Sequence, residues 1–229
     1  MLICVLSNRR ARRVAPGWVP ANALAHYDFE QGLYWDGAAE LNVADAISDP
    51  ARVVTVSDGS GLTIEPDGVQ LLGGLRDKIL LGSFTALVRF VPENSSHQAF
   101  LVLALDNSGD DQVTMYAVMS GGTVTEVGYD AHFIVDGNPS GDRFVGGEAT
   151  PGTPETENRI ALSRSPGSIH VSMNGSAASS DTSALAGVLL DYVLAGEHNQ
   201  ATGVRGRILS ITVYPLLAAS ALPALTSLS

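Results

Sequence analysis

The chain has 229 residues, 45% of them hydrophobic, and a formal net charge of −11. That is enough apolar material for one large domain with a real core, and no run of about 18 apolar residues offers a membrane-spanning helix. Cys4 is the only cysteine, which excludes an intrachain disulfide and a cysteine-built metal site and fits synthesis in a reducing cytoplasm.

Residues 1–24 read as an arm. The apolar run Leu2 to Leu6 is too short for an export signal, and the arginines follow it rather than precede it. Arg9, Arg10, Arg12 and Arg13 stand there without an acid, so the arm carries +4 and the remaining body −15. A basic arm on an acidic body is expected to dock on something negative: a protein surface, nucleic acid, or the body of a neighbouring copy. A solvated, frayed terminus is the plainer alternative. The acidic body itself argues against nucleic-acid binding, because it would repel phosphate. Pro16 and Pro20 favour an extended course.

From residue 25 onward the pattern is that of strands and turns. Tyr27 to Phe29 and Leu33 to Trp35 are β-rich, with Gly32 and Gly37 as turn residues. "LNVADAI" suits a short helix or a loop. Two short strands are expected around Asp58-Gly59 and a third after Asp67-Gly68. "SFTALVRFVP" is a clear strand. "AFLVLALDNSGDDQVTMYAVMSGGTVTEVGYD" is a three-strand meander, and Phe100 to Leu105 within it is apolar at every position, as in a strand covered on both faces.

"VDGNPSGDRFVGGEATPGTPETEN" reads as one long loop. Then comes a well-specified hairpin, "NRIALSRSPGSIHVSMNG". Ile160 and Leu162, then Ile169, Val171 and Met173, alternate with residues expected to face solvent or a partner. Pro166-Gly167 suits a type II turn and Asn174-Gly175 a type I′ turn. "SSDTSALAG" is expected as a loop, "VLLDYVLAGEHN" as a strand with a turn, and "VRGRILSITVYP" as the last strand. A short amphipathic helix built on Leu217, Leu222 and Leu225 closes the chain; because Pro223 is tolerable only in a first turn, it is expected either to begin near Ala221 or to be irregular.

These elements predict an all-β fold, a sandwich or jelly roll spanning residues 25–229. About two thirds of the chain, from Ser83 to the C-terminus, resembles a concanavalin A-like or laminin-G-like jelly roll, which implies a two-sheet antiparallel β-sandwich. The resemblance lies in "FTALVRFVP", the meander, the hairpin ending in Asn-Gly, and "GRILSITVYPLLAASALPAL" with its Tyr-Pro and leucine-spaced helix. With "YDFEQGLYWDGAAEL" it is similar to sandwich domains of bacteriophage structural proteins. It implies a non-enzymatic virion subunit of a fibre, spike or capsid-vertex attachment, partnered by other virion proteins and by its own copies, with a trimer expected. The alternative is a carbohydrate-binding module for host surface polysaccharide, and a glycan hydrolase is a more distant one. Fold alone does not choose among them.

Residue chemistry adds few candidates. A glycosidase needs two carboxylates flanking the bond, and a spacing of two places a pair on one strand face. Asp28 with Glu30, Glu65 with Asp67, and Glu155 with Glu157 have that spacing, and Asp28 with Glu30 is the best of them; no catalytic residue is assigned. The five histidines show no zinc-ligand spacing. Asp106, Asp110 and Asp111 offer oxygen ligands for calcium, although the same residues serve an ordinary hairpin loop. Without calcium no cofactor is expected. Asn107, Asp110, Asp111 and Tyr129 are the glycan-binding candidates, and Tyr116 is expected on the outer side of its strand.

Overall fold

A computed structural model describes residues 15–54, 60–64, 68–73, 76–77, 83–92, 98–105, 112–119, 127–134, 143–147, 156–181, 192–197 and 206–228. The described strands are β1 (Ala25–Asp28), β2 (Leu33–Trp35), β3 (Glu40–Asn42), β4 (Val53–Val54), β5 (Gly61–Thr63), β6 (Val69–Gln70), β7 (Phe84–Pro92), β8 (Gln98–Leu105), β9 (Gln112–Met119), β10 (Val127–Ile134), β11 (Arg143–Gly147), β12 (Asn158–Ser165), β13 (Ser168–Met173), β14 (Ser179–Asp181), β15 (Tyr192–Glu197) and β16 (Gly206–Tyr214). They form two antiparallel sheets. The first runs β14-β13-β12-β7-β16-β1-β2-β3, with the β4–β5 pair joined to β16; the second runs β11-β10-β9-β8-β15-β6. The fold is therefore an all-β antiparallel sandwich with one short C-terminal helix, as the strand pattern predicts.

The sandwich closes on one core. Tyr27, Val88, Phe90, Ile160 and Ile211 of the first sheet cluster with Val69, Val193 and Ala195 of the second. Burying each larger side chain is worth about 1.5–3 kcal/mol, so this layer is the main source of cohesion. Tyr27 stacks on Phe29 and Tyr34. Its hydroxyl reaches the carbonyls of Ala46 and Leu72, tying both of these segments to β1. Val43–Ala46 is a 3-10 turn whose N-cap Asn42 accepts from the Ala44 amide.

β16 changes partners along its length. Arg207 and Ile208 pair with β5, whereas Ser210 to Val213 pair with β1. A bulge at Leu209 marks the change, since Ile208 faces Phe90 and Ser210 faces Arg89. The Leu209 carbonyl accepts instead from the Phe29 amide at 2.9 Å. In the hairpin, Gly167 has φ 87°, and Asn174 and Gly175 have φ 48° and 81°, matching both expected turns.

Three expectations change. The long loop contains strand β11, and "SSDTSALAG" begins with edge strand β14. Neither has enough apolar alternation to be read as a strand, and both exist because a neighbouring strand offers hydrogen bonds. The third change concerns the outer face of the first sheet, which residues 15–24 and the C-terminal segment cover.

One cover is C-terminal. A 3-10 turn at Ala219–Ala221 leads into helix Leu222–Thr226, with Pro223 in its first turn. Leu222 packs with Leu87, Ala161 and Tyr214, flanked by Leu217 and Leu225. A ring of three hydrogen bonds holds the approach: the Leu217 amide donates to Thr85 Oγ1, Thr85 to Ser163 Oγ, and Ser163 to the Leu217 carbonyl. Ala161 and Ser163, expected to face solvent or a partner, are buried beneath this segment.

The other cover is N-terminal. Residues 15–24, expected as part of an extended arm, lie against the body. Val19 is buried, the Leu24 amide donates to the Val213 carbonyl, and Ala23 joins the C-terminal helix cluster. Trp18 packs on His26 at 5.6 Å and donates from Nε1 to Glu40. Arg9, Arg10, Arg12 and Arg13 lie outside the described residues.

Candidate functional site

The first-sheet carboxylates are engaged in structure. Asp28 is buried at the end of β1 and accepts from the Gln31 backbone amide and side chain, closing the turn into β2. Glu30 lies 3.2 Å from Arg89. Arg89 also donates from Nε and Nη2 to the two oxygens of Glu157, and Arg159 donates to Glu157 from the other side. Hydrogen bonds from Arg89, joined by those from Arg159, hold the Glu157 carboxyl down at about 2. Glu65, Asp67 and Glu155 lie outside the described residues.

His26 is buried and its Nδ1 bonds Thr212 Oγ1 at 2.8 Å. Desolvation lowers its pKa to about 4, opposed by Asp28 and reinforced by Arg89. His170 bonds Ser180 across β13 and β14. Among the described residues no three His, Cys, Asp or Glu side chains gather as metal ligands. No helix among them is long and apolar enough to cross a membrane. Asp106, Asn107, Asp110 and Asp111 fall outside the described residues.

The second sheet is defined by its register. Val193 and Ala195 of β15 belong to the core. Ala195 pairs with Val102, Val102 with Met115, Met115 with Ala131 and Ala131 with Val145, so this row of positions is on the core side. Tyr129 is two residues from Ala131 on β10 and therefore has a core-side position. Tyr116, one residue from Met115, has an outer one.

That outer row runs across five strands: Glu197 pairs with Phe100, Phe100 with Tyr116, Tyr116 with Asp130, and Asp130 with Gly146. Cross-strand partners share a face. The next outer row is Leu194, Leu103, Thr114, His132 and Phe144. The outer face thus combines aromatic positions with a carboxylate position at either side.

Glu197 and Phe100 escape simple alternation. The β8–β9 register shifts between Phe100 and Val102, and Gly196 beside Glu197 has φ 67°. A glycine inside a strand pattern is the sequence signal for such an irregularity. A Cβ at Gly196 would also come within 3.2 Å of the Thr63 carbonyl.

No family model matches the sequence, and no curated protein does. Among solved structures, Trypanosoma rangeli sialidase superposes on 90% of this chain at a TM-score of 0.54 and 14% identity, using 32% of its own length. The same enzyme in complex with 2,3-difluoro-KDN gives 0.55 at 13% identity, over 90% of this chain and 32% of that one. The chain thus spans about a third of that sialidase. A carbohydrate-binding module of Ruminococcus gnavus IT-sialidase, CBM40, bound to alpha2,3 sialyllactose, aligns over 76% of this chain and 96% of its own at a TM-score of 0.48 and 16% identity. The likeness to the T. rangeli enzyme shows the shared β-sandwich fold.

Proposed function

We propose that this chain is a carbohydrate-binding sandwich module whose ligand lies on the outer face of the second sheet. The observation that carries the reading is the row Glu197–Phe100–Tyr116–Asp130, with two aromatic residues between two carboxylates. A sugar ring has apolar C–H faces that stack on aromatic rings, and hydroxyls that donate to carboxylates. The opposite, first-sheet outer face is covered by residues 15–24 and the C-terminal helix.

The module holds its ligand without cleaving it. Glu197 and Asp130 are three strand spacings apart, about 14 Å at about 4.8 Å per strand. Glycosidase pairs stand about 5–9.5 Å apart. Asp28 and Glu30 are spent on Gln31 and Arg89. The virion setting, with host attachment as the task, belongs to the same proposal and rests on the sequence resemblance.

A glycan array probed with the full chain tests this reading. Binding is expected, and it should be lost in Tyr116→Ala and Asp130→Asn with the thermal midpoint unchanged. Failure to bind any glycan, or full binding in both folded variants, would overturn it.

A further inference from the structure

We infer that the glycan is uncharged and that this face turns anionic sugars away, an inference that rests on the carbohydrate-binding reading above. Within β8 to β11 the charged positions are one carboxylate, Asp130, and one arginine. That arginine, Arg143, is out of place for an outer ligand. It pairs with Phe133, Phe133 with Val113, Val113 with Ala104, and Ala104 with the core residue Val193. Its position is on the core side.

The outer rows of these strands contain no lysine or arginine, while Asp130 stands in the middle of one. Recognition of a sugar carboxylate or sulfate normally needs a forked guanidinium or an ammonium. Here the anion would instead meet a like charge. On the first sheet, Arg89 and Arg159 are already matched by Glu157, and outside the sheets Arg76 lies against Asp77. The net charge of −11 adds a long-range repulsion that salt screens.

The experiment is an array of paired glycans, each present with and without a terminal sialic acid, probed with the full chain at low and high salt. Binding to the neutral members at least tenfold tighter than to their sialylated partners is expected, with the gap narrowing as salt rises. Thr114→Arg, which adds a guanidinium to an outer row, should recover sialylated glycans tenfold or more. Preference for the sialylated members by the unaltered chain overturns this inference and leaves the module reading standing. Binding to neither overturns both. A folded Thr114→Arg variant that still rejects sialylated glycans overturns the charge explanation.

Discussion

Arg89 of β7 holds Glu157 at the entrance to β12 through two parallel bonds, Nε to Oε1 at 2.9 Å and Nη2 to Oε2 at 2.7 Å. The same guanidinium reaches Glu30, and Glu157 also takes Arg159, which donates to the Ser227 carbonyl. One ion network therefore ties the N-terminal hairpin, two central strands and the C-terminal tail. Both side chains of the central pair are nearly a third exposed, so solvent screening limits it to about 1 kcal/mol.

Glu157→Gln should lower stability by about that amount at neutral pH. The native carboxyl titrates near 2, below its ordinary 4.5. The stabilisation is therefore complete above 4.5 and lost as pH falls through about 2. Urea titrations of both proteins across this range should show the two curves converging in acid. A constant gap would assign the loss to packing instead.

His26 gives a second pH window. Its native pKa near 4, lowered chiefly by burial, lies below the ordinary 6.5, so the unfolded chain binds more protons between these values. The neutral ring contributes its full stability above 6.5, and the contribution falls as pH drops toward 4. His26→Asn should flatten that part of the stability profile. A variant curve parallel to the original from pH 7 to 4 would contradict the assignment.

Leu222 fixes the C-terminal cover. It is fully buried against the outer face of the first sheet, so Leu222→Ala should cost roughly 2–5 kcal/mol. Thr226→Val should cost about 1–2 kcal/mol, because it removes the acceptor of the Gly175 amide and the partner of Ser172. Thermal unfolding measures both. Values near zero would mean that the helix is dispensable.

Deleting residues 1–24 should weaken the fold. His26 pairs with Trp35 and Trp35 with Glu40 in register, and Trp18 touches both ends of that row. It therefore covers Trp35, which is only 4% exposed. Since Trp18 and Trp35 are the two tryptophans of the chain, the truncated form reports on Trp35 alone. Its emission should shift to the red, with a lower midpoint, by roughly 2–4 °C per kcal/mol lost. Unchanged emission and midpoint would show that the N-terminal cover contributes nothing.

Much of the strand content follows from local order. Ile160, Leu162, Ile169, Val171 and Met173 enter the core as their period of two requires, and Gly167, Asn174 and Gly175 take the turn angles their types favour. Pro223 in the first turn of the closing helix follows from its missing amide. β11 and β14 were not legible, because short glycine- or serine-rich strands carry no pattern of their own and depend on β10 and β13. The candidate row was legible only in part. Tyr116 has an outer position by alternation, but Glu197 and Phe100 join it through a register shift at Phe100–Val102 and a left-handed Gly196.

By itself the sequence determined an all-β chain, its hairpin turns, the greasy faces and the excess of negative charge, since all of these are properties of neighbours along the backbone. Only the tertiary structure decided which outer sheet face residues 15–24 and the C-terminal helix cover, which carboxylates are consumed by Arg89 and Gln31, and which strands stand side by side. Those outcomes depend on contacts between residues far apart along the chain, His26 and Thr212 being separated by 186 positions, and no local periodicity encodes such a distance.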